Sequence, residues 1–528
     1  MKKKKRFVEK GGNMSVRKLI IAVIVLGLGV VACGSTPRYG GTLRYAMYGE
    51  PPTLDMHVTT SVLASVIAHH IFEGLFDFGA DYTPKPVLLE SFEYQGDGTT
   101  VVFHLRKGVL FHNGKEMTSE DVVASLKRWG EFGVQAKQLW NLVVSIDAPD
   151  KYTVVLQLSK PFGPLPAYLA NIYGGPRIYP KEVVESAGAQ PISPDNYIGT
   201  GPYKFVEWSP GRWIKLARFE QYVSPLGPSD GFTGSKVAYI DELVFVPVPD
   251  PMTRVAGVLA GEYDYADSIP TDLYDSLAAS PNVVPLLLTN PPIYPAMVMN
   301  TKQGLMSNVT MRQAVLAALN MEEALRAAYG DERFWSLESS YFAKGIIWYS
   351  TAGKEYYNQN NPEKARALAE QAGYAGEPIR FLVSSDYKHH YDQAVVLAQQ
   401  LRAAGFNVDL QVYDWATLLQ RRANPELWDI FFSHFLTVPE PCLVLFLPGT
   451  YPGWWQNPKK NELVAQMNSM LDFETRYAVW EQIQALIWED VPFIKIGNAF
   501  FLDIMSSRVK SSDHPIMLIP YFWNMWLE

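Results

Sequence analysis

The feature that most constrains this chain is the apolar run from Leu19 to Val31, which follows a basic start. The run is 13 residues long, whereas a helix that crosses a bilayer needs about 20 apolar residues. A short apolar run behind a basic segment is typical of an export signal. We therefore expect the chain to be exported and to fold outside the cytoplasm.

The residues after the apolar run resemble the lipobox of bacterial lipoproteins. Ala32 directly precedes Cys33, and the branched Val30 and Val31 lie just upstream. The resemblance implies that a diacylglycerol is attached to the Cys33 sulfur and that residues 1–32 are removed as a signal peptide. An ordinary secretory signal with a chance cysteine is the alternative, and Met14 is an alternative start of translation.

The mature chain is expected to be acidic and free of disulfides. Removal of residues 1–32 leaves 38 Lys and Arg against 53 Asp and Glu, so the formal charge changes from −8 to −15. Such a surface repels phosphate backbones and anionic head groups, so nucleic acid is not an expected partner and membrane attachment must come from the lipid. The only other cysteine is Cys442, which lies in an apolar stretch and is expected to be a small buried side chain.

Periodic patterns along the chain predict an α/β fold. Residues 100–105 form a strand pattern, and Thr118 with Asp121 is a capping box at the start of a helix. Further along, Arg380–Val383 is a predicted strand, Gln393–Ala404 a helix and residues 406–412 a second strand. This β-α-β order predicts parallel pairing.

Sequence motifs for catalysis, nucleotide binding and metal binding are absent. The chain has no HExxH, CxxC or GxSxG, and no GxGxxG after a strand. Two pairs of adjacent histidines occur, His69 with His70 and His389 with His390. Adjacent side chains diverge on a helix or a strand, so neither pair can chelate one ion without a further ligand. We expect no metal, no cofactor and no enzymatic activity.

A set of segments in the mature chain resembles one protein family. The most specific stretch is Phe103–Lys115 followed by Thr118–Val122. In the same order as in the family come Thr53–Asp55, Glu73–Phe76, Gly199–Phe205, Gly261–Asp264 and Met311–Ala314. Together they resemble the extracytoplasmic solute-binding proteins of family 5, the dipeptide, oligopeptide and nickel class that delivers ligands to ABC importers. The likeness extends from Gly40 to about Asn524.

The resemblance implies a two-lobed α/β fold of the periplasmic-binding-protein type II, with an extra third domain and a hinge on which the lobes close. Lobe I would comprise residues 34–76, 197–295 and 498–528, the extra domain 77–196, and lobe II 296–497. The implied function is that of a lipid-anchored, monomeric receptor outside the cytoplasm. It would capture a peptide or a similar-sized polar solute between the lobes and present it to the transmembrane subunits of an ABC permease. An exported hydrolase with a carboxylate pair in the cleft, or a solute sensor without a transporter, are the alternatives.

The resemblance also implies which positions contact the ligand. They lie in the loop after the first strand, in the turn around residue 203, in the strand from residue 294, at residue 415, and in the segment 433–440. The residues are Tyr48, Glu50, Pro51, Tyr203, Tyr294, Trp415, Phe435, Thr437 and Glu440.

One departure from the family pattern bears on the ligand. Peptide binders carry an Asp shortly after the residue aligned with Phe435, and this Asp pairs with the free amino terminus of the peptide. Here that Asp is missing. A buried ammonium without a partner costs several kcal/mol. Either Glu440 or Glu50 supplies the carboxylate, or the ligand has no free amine, as in a sugar or an opine-like compound.

Overall fold

The computed structural model describes residues 36–133, 135–511 and 519–528. The predicted export signal and Cys33 lie outside the described residues. In chain order the strands are β1 (Thr42–Met47), β2 (Phe76–Phe78), β3 (Pro84–Pro86), β4 (Leu89–Gln95), β5 (Thr100–Leu105), β6 (Val143–Asp150), β7 (Thr153–Leu158), β8 (Tyr203–Ser209), β9 (Trp213–Arg218), β10 (Glu242–Pro247), β11 (Tyr265–Ile269), β12 (Val283–Met299), β13 (Trp335–Ser336), β14 (Ile379–Ser384), β15 (Val408–Tyr413), β16 (Ile430–Leu436), β17 (Phe493–Lys495), β18 (Asn498–Ser506), β19 (Val509–Ser511) and β20 (Met525–Leu527).

Helices fill the connections between these strands. They are α1 (Val62–Ile71), α2 (Ser119–Phe132), α3 (Lys137–Trp140), α4 (Leu165–Leu169), α5 (Lys181–Ala187), α6 (Pro251–Leu259), α7 (Tyr274–Ala278), α8 (Val309–Ala318), α9 (Met321–Tyr329), α10 (Pro362–Gln371), α11 (Lys388–Ala403), α12 (Trp415–Ala423), α13 (Pro458–Ser469) and α14 (Phe473–Asp490). None of the described helices is both long and apolar enough to cross a membrane.

One mixed sheet of 12 strands runs through both predicted lobes. Its order is β15-β14-β16-β12-β18-β11-β1-β10-β9-β8, with β13 paired to β18 and β17 paired to β12. The strands β14 to β17 fall in predicted lobe II, whereas β1, β8 to β11 and β18 fall in predicted lobe I. The two groups are therefore joined through β12 and β18.

Strand β12 changes partners along its length. Residues 283–288 pair with β18, and residues 293–299 pair with β16. The register with β18 shifts between Leu288 and Ile293, where Pro291 and Pro292 cannot donate to the ladder. The predicted boundary between the lobes after residue 295 lies in the part of β12 that pairs with β16, and the other predicted crossing lies between β17 and β18.

A separate antiparallel sheet of four strands, in the order β4-β5-β7-β6, lies within the predicted extra domain. Helix α2 packs beside it, and its predicted capping box is confirmed: the Thr118 backbone N–H donates to Asp121 Oδ2 at 2.9 Å. Val122, Leu126 and Trp129 are buried as the helical pattern predicts. The boundaries of the lobes and of the extra domain stay predictions.

The predicted β-α-β unit in lobe II is confirmed. Strands β14 and β15 are parallel neighbours, with Ile379 opposite Val408. The helix between them, α11, begins at Lys388, five residues before the predicted Gln393. This earlier start places His389 and His390 in the first helical turn.

Several residues of the family signature bind distant segments of the same chain. Buried Asp55 accepts hydrogen bonds from Arg128 Nη2 at 2.7 Å and from the backbone N–H of Ile192 at 3.0 Å. Buried Glu73 pairs with Lys236 Nζ at 3.0 Å. Breaking such a buried pair by removing one partner leaves an uncompensated charge. The loops that follow β1 and α1 are therefore fixed.

Cys442 is free and buried, as predicted.

Candidate functional site

A cavity of about 360 Å³ lies between the N-terminal part of the chain and predicted lobe II. Small-molecule sites are typically ~300–1,000 Å³, so this one suits a compact solute. Five of its lining residues come from predicted lobe I and the extra domain, and the rest from predicted lobe II. The lining residues are Thr60, Gln135, Asn171, Tyr173, Tyr294, Trp415, Arg422, Ser433, His434, Phe435, Leu436, Val438, Leu443, Val444, Leu445 and Tyr451.

Aromatic rings form one wall of this cavity. Tyr294 in β12 is the register partner of Phe435 in β16, and their rings stack with centroids 5.6 Å apart. Tyr451 packs against Phe435 at 5.8 Å. Trp415 opens helix α12 and is only partly buried, so one of its surfaces is left for a ligand. Of the predicted ligand-facing residues, the structure brings Tyr294, Trp415 and Phe435 to the cavity.

Arg422 supplies the positive charge of the cavity. It lies two helical turns after Trp415 on α12. Its Nη1 donates to the Tyr451 hydroxyl at 2.9 Å, and its guanidinium lies 5.8 Å from the Trp415 ring centroid and 5.3 Å from that of Tyr451. Such contacts hold a guanidinium without neutralising it. Among the residues that line the cavity in the described part of the chain, none is an Asp or a Glu.

Both carboxylates proposed from the sequence for a ligand ammonium are engaged by other groups. Glu50 accepts hydrogen bonds from Trp208 Nε1 at 2.7 Å and from the Gly211 backbone N–H at 3.0 Å. Glu440 is buried and forms an ion pair with Arg476 on α14. Neither residue lines the cavity.

The other predicted site residues lie outside the cavity lining as well. Tyr48 is exposed, and its backbone N–H donates to Asp267 Oδ1 at 3.0 Å. Pro51 is buried, and Tyr203 is fully buried. The Thr437 hydroxyl donates to the Pro292 carbonyl at 2.7 Å. A ligand role for these residues stays a prediction.

Two buried carboxylates lie beneath the loop that contains Tyr48. Asp267 accepts from the Tyr45 hydroxyl at 2.9 Å, and Asp503 accepts from the Tyr265 hydroxyl at 2.6 Å and from the Ser268 backbone N–H at 2.9 Å. Burial, followed by the charge of Asp503, raises the pKa of Asp267 to about 7. Burial raises the pKa of Asp503 to about 6. The pair therefore binds a proton in the folded state at a pH where free carboxylates do not.

Three histidines meet beside the cavity. His389 and His390 lie in the first turn of α11, and His434 lies in β16 and lines the cavity. Nε2 of His390 is 2.7 Å from Nδ1 of His434. Burial lowers the pKa of His434 to about 4, and burial together with His434 lowers that of His389 to about 3. The third ligand that the sequence argument required for a chelating pair is thus present.

Sequence reasoning missed several residues of the site. Arg422, Tyr451, Asn171 and Tyr173 carry no motif, and tertiary contacts between distant segments bring them together. The one available signal was the spacing of Arg422, which follows Trp415 by seven residues. Seven residues correspond to two helical turns, which places both side chains on one face.

A cavity between two groups of strands that are joined by two crossings is the arrangement of a two-lobed solute-binding protein. Residues 83–454 match the family model described as bacterial extracellular solute-binding proteins, family 5 Middle. The chain belongs to this family, and it is therefore a solute-binding protein.

Relatives and solved structures agree with this membership. The chain is 30% identical over 487 residues, covering 89% of this chain and 91% of the relative, to a probable peptide ABC transporter periplasmic-binding protein, y4tO, of Sinorhizobium fredii (strain NBRC 101917 / NGR234). The periplasmic binding protein AgaA of A. tumefacien R10, solved in complex with agropinic acid, matches with a TM-score of 0.73 and 25% identity over 92% of this chain and 99% of that one. DppA from Helicobacter pylori, solved with the peptide STSA, matches with a TM-score of 0.76 and 24% identity over 93% and 99%. The predicted two-lobed α/β fold is confirmed.

Proposed function

We propose that this protein is the receptor of an ABC importer and that it captures a small anionic solute without a free ammonium group in the 360 Å³ cavity. The observation that carries this proposal is the charge of the lining. Arg422 faces the cavity with rings and a hydroxyl as its partners, and none of the described lining residues carries a carboxylate. A guanidinium in a partly desolvated site favours a carboxylate or another planar anion.

The absence of a carboxylate from the described cavity lining argues against a peptide with a free amino terminus. Its ammonium would lose water on closure and find no negative partner among these lining residues, and Glu50 and Glu440 are paired elsewhere. AgaA was solved with agropinic acid and DppA with the peptide STSA. The charge pattern of this cavity favours an acid of the same kind as agropinic acid, or a peptide whose amino terminus is blocked.

Capture is expected to proceed by closure of the lobes. The two crossings at β12 and between β17 and β18 provide the hinge, and residues from both sides line the cavity. A ligand that contacts both sides binds the closed form better than the open one, and this difference in affinity shifts the equilibrium. The permease would then recognise the closed form.

The lipid anchor and the monomeric state are part of the proposal. Diacylation of Cys33 would keep the acidic chain attached to a membrane outside the cytoplasm. The negative net charge of the chain would not by itself attract it to a membrane. Fractionation of cells that express the Cys33→Ser variant tests the anchor. The variant should leave the membrane fraction, and retention of the variant in that fraction would contradict the anchor.

A hydrolase that uses a carboxylate pair is not supported, since the described lining holds no Asp or Glu. A sensor without a transporter differs from a receptor only in its partner, so uptake of the solute by cells with and without the gene decides between them.

The ligand class is tested by titration calorimetry with matched compounds on solute-free protein. The set contains an N-acetylated dipeptide, the same dipeptide with a free amine, and an opine-type sugar acid. At least one amine-free acid should bind at least about tenfold more tightly than the free dipeptide, which corresponds to ~1.4 kcal/mol. Tighter binding of the free dipeptide would overturn the ligand class and leave solute capture intact.

A further inference from the structure

The three histidines beside the cavity have the geometry of an incomplete metal site. One ring nitrogen each of His389, His390 and His434 lies within 4.8 Å of the other two. Around a tetrahedral ion with metal–nitrogen bonds of 2.0–2.1 Å, ligand nitrogens are about 3.3 Å apart. Nε2 of His390 and Nδ1 of His434 are already 2.7 Å apart. None of the three separations therefore exceeds the tetrahedral value by more than about 1.5 Å, and an ion would replace the hydrogen bond between His390 and His434.

Unpaired polar atoms are concentrated at the same place. His389 Nε2, His390 Nδ1 and Gln393 Oε1 are buried, and the described residues offer them no hydrogen-bond partner. Buried polar atoms in native proteins are nearly always satisfied by protein, water or a ligand. Two of the three atoms are ring nitrogens of candidate ligands, so the described residues do not fill the hydrogen-bonding capacity of this histidine cluster.

Aromatic neighbours restrict the movement of these rings. The His390 ring packs against Tyr387 at 4.8 Å and Phe432 at 5.6 Å, and the His389 ring against Tyr329 at 5.8 Å. The side chain of Gln393 donates to the His389 carbonyl at 2.9 Å. Ligands held in this way lose little rotamer freedom when they bind an ion.

We propose that His389, His390 and His434 bind one divalent transition-metal ion of the Zn²⁺ or Cu²⁺ class. Imidazole nitrogens are ligands that these ions prefer, and sites with three protein ligands leave a coordination position open. The cluster lies between two cavities. His434 lines the solute cavity, and His389 lines a second cavity of about 700 Å³ together with Lys388 and Asp392.

An ion at this position would add positive charge to the wall of the solute cavity. The open position could then be taken by water or by an anionic group of the solute, next to Arg422. The inference concerns the ion alone and does not depend on the solute. If the proposed anionic ligand is wrong, the proposed metal site is unaffected, and if the metal site is wrong, the proposed ligand class is unaffected.

The test uses tag-free protein that has been dialysed against a chelator and then given Zn²⁺ alone. After gel filtration, elemental analysis should find one Zn²⁺ per chain, and the ion should raise the unfolding temperature. Co²⁺ in place of Zn²⁺ should give the visible absorption bands of a four- or five-coordinate site. These readouts need no solute and no transporter.

Two variants and a matched control assign the ligands. His434→Gln and His390→Gln should each weaken Zn²⁺ binding by more than about tenfold, because loss of a group that merely orients a ligand already costs ~10–100-fold. His104→Gln is the control, since His104 lies on β5 in the separate four-stranded sheet, and it should bind Zn²⁺ as the unaltered chain does. If the buried His390 variant fails to fold, the half-buried His434 variant decides. Absence of bound Zn²⁺ in the unaltered protein, or equal binding by folded His434→Gln, would overturn the site.

Discussion

Glu440 and Arg476 form a buried ion pair that joins the segment after β16 to helix α14. The Arg476 guanidinium also lies 4.9 Å from the Trp348 ring centroid, and its Nε donates to the Met467 carbonyl at 3.3 Å. The charged groups of Glu440 and Arg476 therefore pair with each other within predicted lobe II. The sequence offers Glu440 as a partner for a ligand ammonium, whereas in the structure its carboxylate is paired with Arg476.

Replacing Glu440 by Gln should therefore affect stability and leave solute affinity unchanged. The variant leaves Arg476 buried without a counter-charge, and breaking a buried pair in this way costs about 3–5 kcal/mol. Urea unfolding measures the loss, and calorimetry of the folded variant measures affinity. A folded variant with unchanged stability and much weaker binding would return Glu440 to the ligand site.

Arg422→Gln should weaken solute binding strongly. The substitution removes the cationic group that lines the cavity and preserves much of the side-chain volume. Hydrogen bonds to charged groups contribute about 1.5–3 kcal/mol, so the dissociation constant should rise at least about tenfold. Arg421 is the matched control, because its guanidinium lies over the Tyr413 ring at 4.6 Å and does not line the cavity. Equal affinities of folded Arg422→Gln and Arg421→Gln would refute an anionic ligand.

Trp415→Ala should weaken solute binding and leave the unfolding temperature nearly unchanged. The ring is only partly buried and lines the cavity, so its loss removes ligand contact more than core packing. Trp213→Ala is the comparison, since that ring lies on β9, where Arg212 and Lys215 cover it. Affinity is measured by calorimetry and stability by thermal unfolding. Unchanged affinity together with a large fall in unfolding temperature would show that Trp415 belongs to the core.

The buried pair of Asp267 and Asp503 should make stability depend on pH. Their folded pKa values, about 7 and about 6, lie above the value of ~3.9 for an unfolded Asp. The folded state therefore binds protons that the unfolded state does not, and the stabilisation is lost as the pH rises through 6 to 7.

Comparison with Asp503→Asn isolates this effect from other titrating groups. Between pH 8 and pH 5 the unaltered protein should gain at least about 1.4 kcal/mol of unfolding free energy relative to the variant, the equivalent of one pKa unit. Denaturant unfolding at the two pH values provides the measurement. A constant difference between the two proteins across this range would contradict the raised pKa values.

Local patterns in the sequence were sufficient to predict the elements. The capping box of Thr118 and Asp121, the strand at 100–105 and the parallel pairing of β14 with β15 depend on residues close together in the chain, and all are present. Membership of the family followed from signature segments whose residues, such as Asp55, bind other parts of the chain.

The chemistry of the site could not be predicted in the same way. Glu440 and Arg476 are 36 residues apart, and His434 is 44 residues from His390, so no local pattern links them. Whether a carboxylate is free for a ligand depends on partners such as these. The charge of the cavity therefore emerged only from the tertiary structure.

The most direct test of solute capture is native mass spectrometry of the purified protein, followed by release and identification of the bound molecule. We predict one molecule per chain, recovered intact, with an anionic group and no free amine. A peptide with a free amino terminus would contradict the proposed ligand class, and a molecule recovered in cleaved form would contradict the account of a receptor that binds its solute without changing it.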